Sequence, residues 1–434
     1  MVLSPFLRLL YFFFRLLAAA ATTIYYRRHT VLGRRYAHFD GPAIVVSNHP
    51  STLMDPLNVG VQVRQEMFFL ANYGLFKHPV SAWLLSHLYC IPVKRREDVA
   101  EGEARNNDEA FEKSYQHMEL GGVLYIAAEG VSWMHRWVRD FKTGAARISF
   151  GAERRNAWGL GVKIIPVGMD YSAAHLFRSE VTVHFGEPVM ARDWQAAFEE
   201  NPEAAVEALT AHLQQRVAAL TVHARDEAGE AALQMWETIA RNDTALPADA
   251  EQRRSQHFAD VLLDDAALRA STEQYAQGLA ASGLSDLGVK QLASSPPAQQ
   301  WAGEWMFLGL TCPLFALGYA AWWLPCWLPA LLNRRLGLYI GYSPTIKILA
   351  GIFTVPLGLW AAAKVLVWLG YFRGWPPSLL WLLLMGAGVF AERYLDMWKR
   401  VRARRQAAAL AQQQPAKAEE LLRQRAYVAS QLGG

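Results

Sequence analysis

A histidine and an aspartate lie six positions apart in Ser47–Asn48–His49–Pro50–Ser51–Thr52–Leu53–Met54–Asp55–Pro56, directly after the apolar run Ala43–Ser47. A carboxylate beside an imidazole fixes its tautomer and stabilises its protonated form, which makes a general base for work near neutral pH. Pro50 has no amide hydrogen and suits the first position of a helix. The spacing therefore predicts His49 just ahead of a helix N-terminus. Taken alone, the pair reads more readily as a capping or packing loop histidine and an ordinary turn aspartate.

Further segments add chemistry in a fixed order. Ile91–Pro92–Val93–Lys94–Arg95–Arg96 places cations directly after an apolar run, suited to a phosphate or simply to water. Ala127–Ala128–Glu129–Gly130 follows another such run, with a glycine that lets backbone approach a ligand. Lys142–Thr143–Gly144–Ala145–Ala146–Arg147 opens a helical pattern. A lysine at a helix N-terminus is a natural anion site, although small residues there serve tight packing equally well. Ile165–Pro166–Val167–Gly168 ends a further apolar run. His78, His87 and His175 stand isolated and read as structural. Cys90, Cys312 and Cys326 cannot complete a disulfide framework and lack metal-ligand spacing, so a reducing compartment and no metal are expected.

Elements must bring these residues together. Ala43–Ser47, Met67–Ala71, Tyr89–Val93, Val123–Ala127, Lys163–Val167 and Val181–Phe185 read as buried strands. Helical patterns over Lys77–Leu88, Glu101–Met118 and Thr143–Arg154 separate several of them. That alternation predicts an α/β fold with a largely parallel sheet. In such folds chemistry gathers at the carboxyl ends of strands, where the segments after Ser47, Val93, Ala127 and Val167 are placed.

Composition surrounds this core with membrane-directed chain. Only 19% of the 434 residues are charged, against about 25% in soluble chains. The net charge of +4 is too small to indicate a nucleic-acid partner. Residues 1–34 are expected to form an interfacial helix with Arg8 and Arg15 snorkelling to lipid phosphates. Residues 35–190 then hold the α/β domain. Residues 191–300, with 8 basic and 17 acidic side chains, read as amphipathic helices ending in a Ser294–Pro297 linker. Residues 301–392 are expected to form membrane hairpins, with Trp305–Leu332 broken by Pro313, Pro325 and Pro329 into a re-entrant pair. Residues 393–434 form a basic tail holding Lys399, Arg400, Arg402, Arg404 and Arg405. Counting positive charges then puts the tail and the catalytic domain on the cytoplasmic side.

The order His/Asp, IPVKR, EG, KTGAAR, IPVG and Phe185–Gly186–Glu187–Pro188 resembles the glycerolipid acyltransferase family, over roughly residues 35–190. The resemblance implies a membrane-bound enzyme of phospholipid biosynthesis. It would move a fatty acyl group from acyl-CoA or acyl carrier protein, with no other cofactor, to glycerol 3-phosphate or 1-acylglycerol 3-phosphate. His49 would be the base and Asp55 its orienting carboxylate. Arg95, helped by Lys94 and Lys142, would bind the phosphate. Glu129 and Gly130 would complete the acceptor site, and Pro166 would shape the acyl-donor region. The sequence departs from the family pattern twice. Five residues rather than four separate His49 from Asp55, and Ala127–Ala128 stand where the family has Phe-Pro. An extra helical residue rotates a side chain by about 100°, so the pair requires Pro50 or Ser51 to lie in a turn. A catalytically inactive lipid-binding or scaffold protein on the same fold is the competing expectation.

Overall fold

A computed structural model describes residues 5–79, 82–83, 85, 89–95, 106–293 and 298–433. His87, Arg96 and the Ser294–Pro297 linker lie outside them, as do parts of the expected helices Lys77–Leu88 and Glu101–Met118. Two compact units divide the chain: residues 1–223 with 339–345, and residues 224–338 with 346–434.

The first unit is built on one eight-stranded sheet. Its strands are β1 (Arg28–Leu32), β2 (Ala43–Ser47), β3 (Met67–Asn72), β4 (Cys90–Val93), β5 (Val123–Ala127), β6 (Lys163–Tyr171), β7 (Glu180–Phe185) and β8 (Val189–Met190). They run in the order β1-β7-β6-β2-β5-β3-β4, with β8 paired to β6. The pairs β2–β5, β2–β6, β3–β5 and β3–β4 are parallel, whereas β6–β7 is antiparallel. The carboxyl ends of β2, β5, β3 and β4 therefore share one edge. All five residues of β2 are buried, as expected of a central strand covered on both faces.

Two strands differ from the pattern in the sequence. β1 begins at Arg28, within the stretch expected to be membrane helix. β6 continues through Gly168 to Tyr171 because its last residues pair with β7 beyond the end of β2, Tyr171 opposite Val181. Helices α1 (Pro5–Tyr25), α2 (Met54–Gly60), α3 (Asp108–Glu119), α4 (Gly144–Arg155), α5 (Gln195–Glu200) and α6 (Pro202–Ala218) belong to this unit among the described residues. One apolar core joins Ile44, Val46, Leu124, Ile126 and Ile164 of the sheet to Ile148 and Phe150 of α4 and Leu209 and Leu213 of α6.

Helix α1 is seated on the sheet by its polar and aromatic side chains. The Tyr11 hydroxyl accepts the Met67 amide at 3.1 Å. Arg8 pairs with Glu66 at 3.3 Å, and Arg15 donates to the carbonyl of Arg64 at 3.0 Å. Both arginines thus hold protein groups of the domain. Phe6, Leu9, Phe12, Phe13 and Leu16 remain exposed on it.

The second unit is helical: α7 (Glu227–Asp243), α8 (Ala248–His257), α9 (Ala266–Ser282), α10 (Asp286–Ala293), α11 (Ala298–Leu336), α12 (Ser343–Trp368, whose first turn belongs to the first unit), α13 (Pro377–Gln413) and α14 (Pro415–Leu432). The expected proline-broken hairpin is absent: α11 is one continuous helix of 39 residues containing Pro313, Pro325 and Pro329. Each proline removes a single backbone bond, and packing of a long apolar helix tolerates that loss. Trp322, for example, donates its indole N–H to the Leu384 carbonyl of α13 at 2.9 Å. Pro5–Tyr25, Ala302–Leu336, Ile340–Trp368 and Pro377–Gln413 are each long and apolar enough to cross a membrane.

Candidate active site

The site is assembled where β2 ends. Asn48 leaves the strand and locks its side chain onto β6, donating to the Met169 carbonyl at 2.9 Å and accepting the Met169 amide at 2.8 Å. His49 follows. The helix expected to open at Pro50 opens instead at Met54, and residues 50–53 form a turn. That turn absorbs the extra residue between histidine and aspartate. Thr52 carries the necessary backbone reversal, with φ of +34°, a conformation rarely adopted by β-branched residues.

With the turn in place, the His49 Nδ1 meets the Asp55 Oδ2 at 2.8 Å. Asp55 is wholly buried, and two further donors converge on it. The Ser51 amide donates to Oδ2 at 2.8 Å and the Tyr171 hydroxyl to Oδ1 at 2.7 Å. Three donors compensate a burial that would otherwise be costly. Burial, and then the neighbouring Asp55, push the Tyr171 phenol well above its ordinary range, so it remains a donor. Asn58 in turn donates to the Tyr171 oxygen at 3.1 Å. The imidazole is therefore fixed with Nδ1–H toward Asp55, leaving Nε2 as the acceptor.

Glu129 and Gly130 arrive from the neighbouring β5. The Glu129 side chain is buried and accepts the backbone amides of His49 and Arg139. Burial dominates its titration and pushes the carboxyl up to about 8. The Trp133 amide donates to the His49 carbonyl at 2.9 Å, so the β5 loop holds the histidine backbone at two points. Gly130 has φ of +74°, and a side chain there would meet the Lys142 stem at 3.3 Å. Lys142 is exposed beside it, its amide bonded to the Ala128 carbonyl at 2.7 Å, just before α4. Trp133, His135 and Trp137 form an aromatic run along this loop, with His135 stacked on Trp137 at 4.4 Å.

The structure thus gathers His49, Asp55, Glu129, Gly130 and Lys142 at adjoining strand ends. Lys94 and Arg95 sit on the same sheet edge, at the end of the outermost strand β4. There Lys94 is bonded through its backbone to the Asn107 side chain and lies over the Tyr73 ring at 5.3 Å. Pro166 lies lower, buried within β6 opposite Val46, with its carbonyl accepting the Gly186 amide at 2.8 Å. Burial pushes the Cys90 thiol up to about 12, which disfavours the thiolate that a nucleophile needs. Tyr171, Asn48 and Thr52 take part although the sequence did not mark them. For Tyr171 a signal existed in the alternation Val167, Met169, Tyr171, which continues the strand past Gly168.

Residues 28–170 match the model of the Acyltransferase family. Glycerol-3-phosphate O-acyltransferase 1 of Saccharomyces cerevisiae is 30% identical over 93 residues, which are 21% of this chain and 12% of that protein. The chloroplastic 1-acyl-sn-glycerol-3-phosphate acyltransferase LPAT1 of Arabidopsis thaliana is 23% identical over 128 residues, 30% of this chain and 32% of that one. The chain therefore spans a third or less of these curated relatives. The crystal structure of PlsC, the 1-acyl-sn-glycerophosphate (LPA) acyltransferase of Thermotoga maritima, aligns at 20% identity with a TM-score of 0.34. That alignment covers 46% of this chain and 73% of the other.

Proposed function

We propose, from the premise that residues 28–170 form an acyltransferase domain of the glycerolipid acyltransferase family, that this chain transfers a fatty acyl group from a thioester to a glycerol phosphate hydroxyl. The donor is acyl-CoA or acyl carrier protein, and the acceptor glycerol 3-phosphate or 1-acylglycerol 3-phosphate. The observation that carries the reading is the His49–Asp55 contact of 2.8 Å at the end of the central strand. In an inactive scaffold nothing would require a strained turn and three donors to maintain it.

The residues support a direct transfer. The His49 Nε2 takes the proton of the acceptor hydroxyl as its oxygen attacks the thioester carbonyl. Asp55 holds the tautomer and stabilises the imidazolium. When the tetrahedral adduct collapses, the carbon–sulfur bond breaks and the thiolate takes the proton from His49. The products are an ester and a free thiol, and no acyl-enzyme is needed. Lys142, Lys94 and Arg95 hold the acceptor phosphate away from the reacting atoms, so its binding energy orients the hydroxyl. The exposed apolar face of α1 and the apolar helices of the second unit keep the domain at a membrane on its cytoplasmic side, where both acyl donors occur.

Membranes containing the chain are assayed with labelled acyl-CoA and acyl carrier protein, each against both acceptors. Label should enter lipid with at least one pair, and His49→Ala should reduce it at least a thousandfold at equal protein. Transfer that persists in that variant removes His49 from the mechanism. Absence of transfer with all pairs favours a lipid-binding role. The acceptor that sustains the higher kcat/KM identifies the enzyme type.

A further inference from the structure

The turn at residues 339–345 joins two long apolar helices in sequence, yet it belongs to the catalytic unit. It is packed on the strained residue of the catalytic turn. The Thr52 hydroxyl donates to the Gly341 carbonyl at 2.9 Å. Its only hydrogen is then committed, so the Thr345 hydroxyl is the donor in the Thr52–Thr345 contact at 3.0 Å. On the other side the Thr52 amide donates to the Ser132 hydroxyl at 2.9 Å. The Tyr339 hydroxyl accepts the Met134 amide at 3.4 Å. One short segment thus reaches both loops that hold His49, the turn at 50–53 and the stretch after Glu129.

We propose that Thr52, clamped by Gly341 and Thr345, is a positioning residue for the His49–Asp55 pair, and that the turn between α11 and α12 is a working part of the active site. Thr52 touches no reacting atom. Its φ of +34° persists only where surrounding bonds over-determine it. The Ser51 amide, in the Pro50–Ser51 peptide one unit before Thr52 in the same turn, donates to Asp55, and Asp55 sets the imidazole. If the Thr52 hydroxyl is removed, the residue relaxes toward a negative φ, the Ser51 amide turns away, and Asp55 loses one of its three donors. The imidazole is then misaligned while the phosphate-binding cations stay in place. The loss therefore falls on kcat and not on acceptor binding.

The kinetic arm of the test rests on the acyl-transfer reading, and a second arm does not. Thr52→Val, Thr52→Ser, Thr345→Val and the double Thr52→Val/Thr345→Val are made in the full chain and purified in detergent. Thr52→Val should lower kcat at least tenfold with acceptor KM within twofold of wild type. Thr345→Val should lower kcat about threefold, and the double variant should be no slower than Thr52→Val, since both break one link. Thr52→Ser, which keeps the hydroxyl, should recover most of the turnover. An unchanged kcat in Thr52→Val, or losses that multiply in the double variant, overturns the proposal. Hydrogen exchange of peptides covering residues 47–56 supplies the independent arm. It should accelerate at least fivefold in Thr345→Val, a change 293 positions away in sequence, and stay at the wild-type rate in Thr52→Ser. Unaltered exchange in Thr345→Val also overturns the brace. If wild-type chain transfers no acyl group, the functional reading fails alone and the exchange result still decides the brace.

Discussion

Asp55 receives Nδ1–H, amide and phenol donors within 2.8 Å, and each has a separable job. The phenol is the easiest to remove without disturbing the backbone. Tyr171→Phe should lower kcat about tenfold, close to 1.4 kcal/mol and just below the range of about 1.5–3 kcal/mol for one hydrogen bond to a charged group. KM for the acceptor should not change, because the phenol binds carboxylate and not substrate. A Tyr171→Phe enzyme with raised KM and normal kcat would place the phenol in the acceptor site instead. Glu129 gives a prediction of different kind. Its folded-state carboxyl is raised to about 8 from an ordinary 4.5, so the folded chain keeps a proton that the unfolded chain releases. The associated stability is fully present below about pH 4.5 and is lost as pH rises to about 8. Thermal midpoints in detergent should accordingly fall between pH 5 and 8. Glu129→Gln, which cannot ionise, should flatten that slope, and an equal slope in both proteins would show that other groups carry it.

At the scale of elements, β6 decides how well the sequence could be read. The run Ile165–Pro166–Val167–Gly168 ends in a glycine that reads as a strand terminus. Instead the strand passes through it, Gly168 pairing with His184 of β7, and the position is glycine because a side chain would not fit beneath Leu220. A Cβ there would lie 2.7 Å from the Leu220 backbone carbon. Gly168→Ala should therefore force β6 and the residue 220 segment apart. It should cost about 2 kcal/mol or more, as overpacking against backbone does, and the unfolding midpoint should drop by several degrees. A stable Gly168→Ala chain would show that Leu220 moves freely. The same strand explains which site residues were legible. His49, Glu129 and Gly130 lie within a few residues of strand ends marked by apolar runs, while Asp55 and Lys142 lie at the starts of helices, so local pattern and turn chemistry found them. Tyr171, Asn48 and Thr52 act through partners 116, 121 and 293 positions away. Only the folded sheet brings such partners together. The Pro50 signal pointed to a helix start four residues early for a related reason. The turn there is bonded to Ser132, Gly341 and Thr345, partners far away in sequence.

At the scale of the molecule, the tail governs how the apolar helices can lie in a bilayer. Arg425 of α14 is buried and donates to Asp286 at 2.8 Å and to Asp243 at 2.8 Å. Tyr275 and Asn242 bond the same Asp286, each at 2.7 Å. The tail and the acidic helices are thus one folded body, although α11, α12 and α13 separate them in sequence. Both must then lie on one side of any bilayer these helices enter, so the number of complete crossings between them is even. Three helices long enough to span cannot all do so. The proline-broken hairpin that led to the expectation of a shared side is replaced by one continuous helix, so that expectation now rests on the Arg425 contacts and is tested by labelling. In a chain with its three native cysteines replaced, single cysteines at the exposed positions Glu273 and Gln431 should react with a membrane-impermeant maleimide from the same face of sealed vesicles. Reaction from opposite faces would require three crossings and a bilayer between Arg425 and Asp286. The ion pair itself makes this joint cooperative. Arg425→Ala leaves the buried Asp286 carboxylate without its cation and should cost about 3–5 kcal/mol. Paired removal with Asp286→Asn should cost less than the sum of the single changes. Additive losses would mean that α14 is held by its apolar contacts alone, and the tail would then be free to sit on either side.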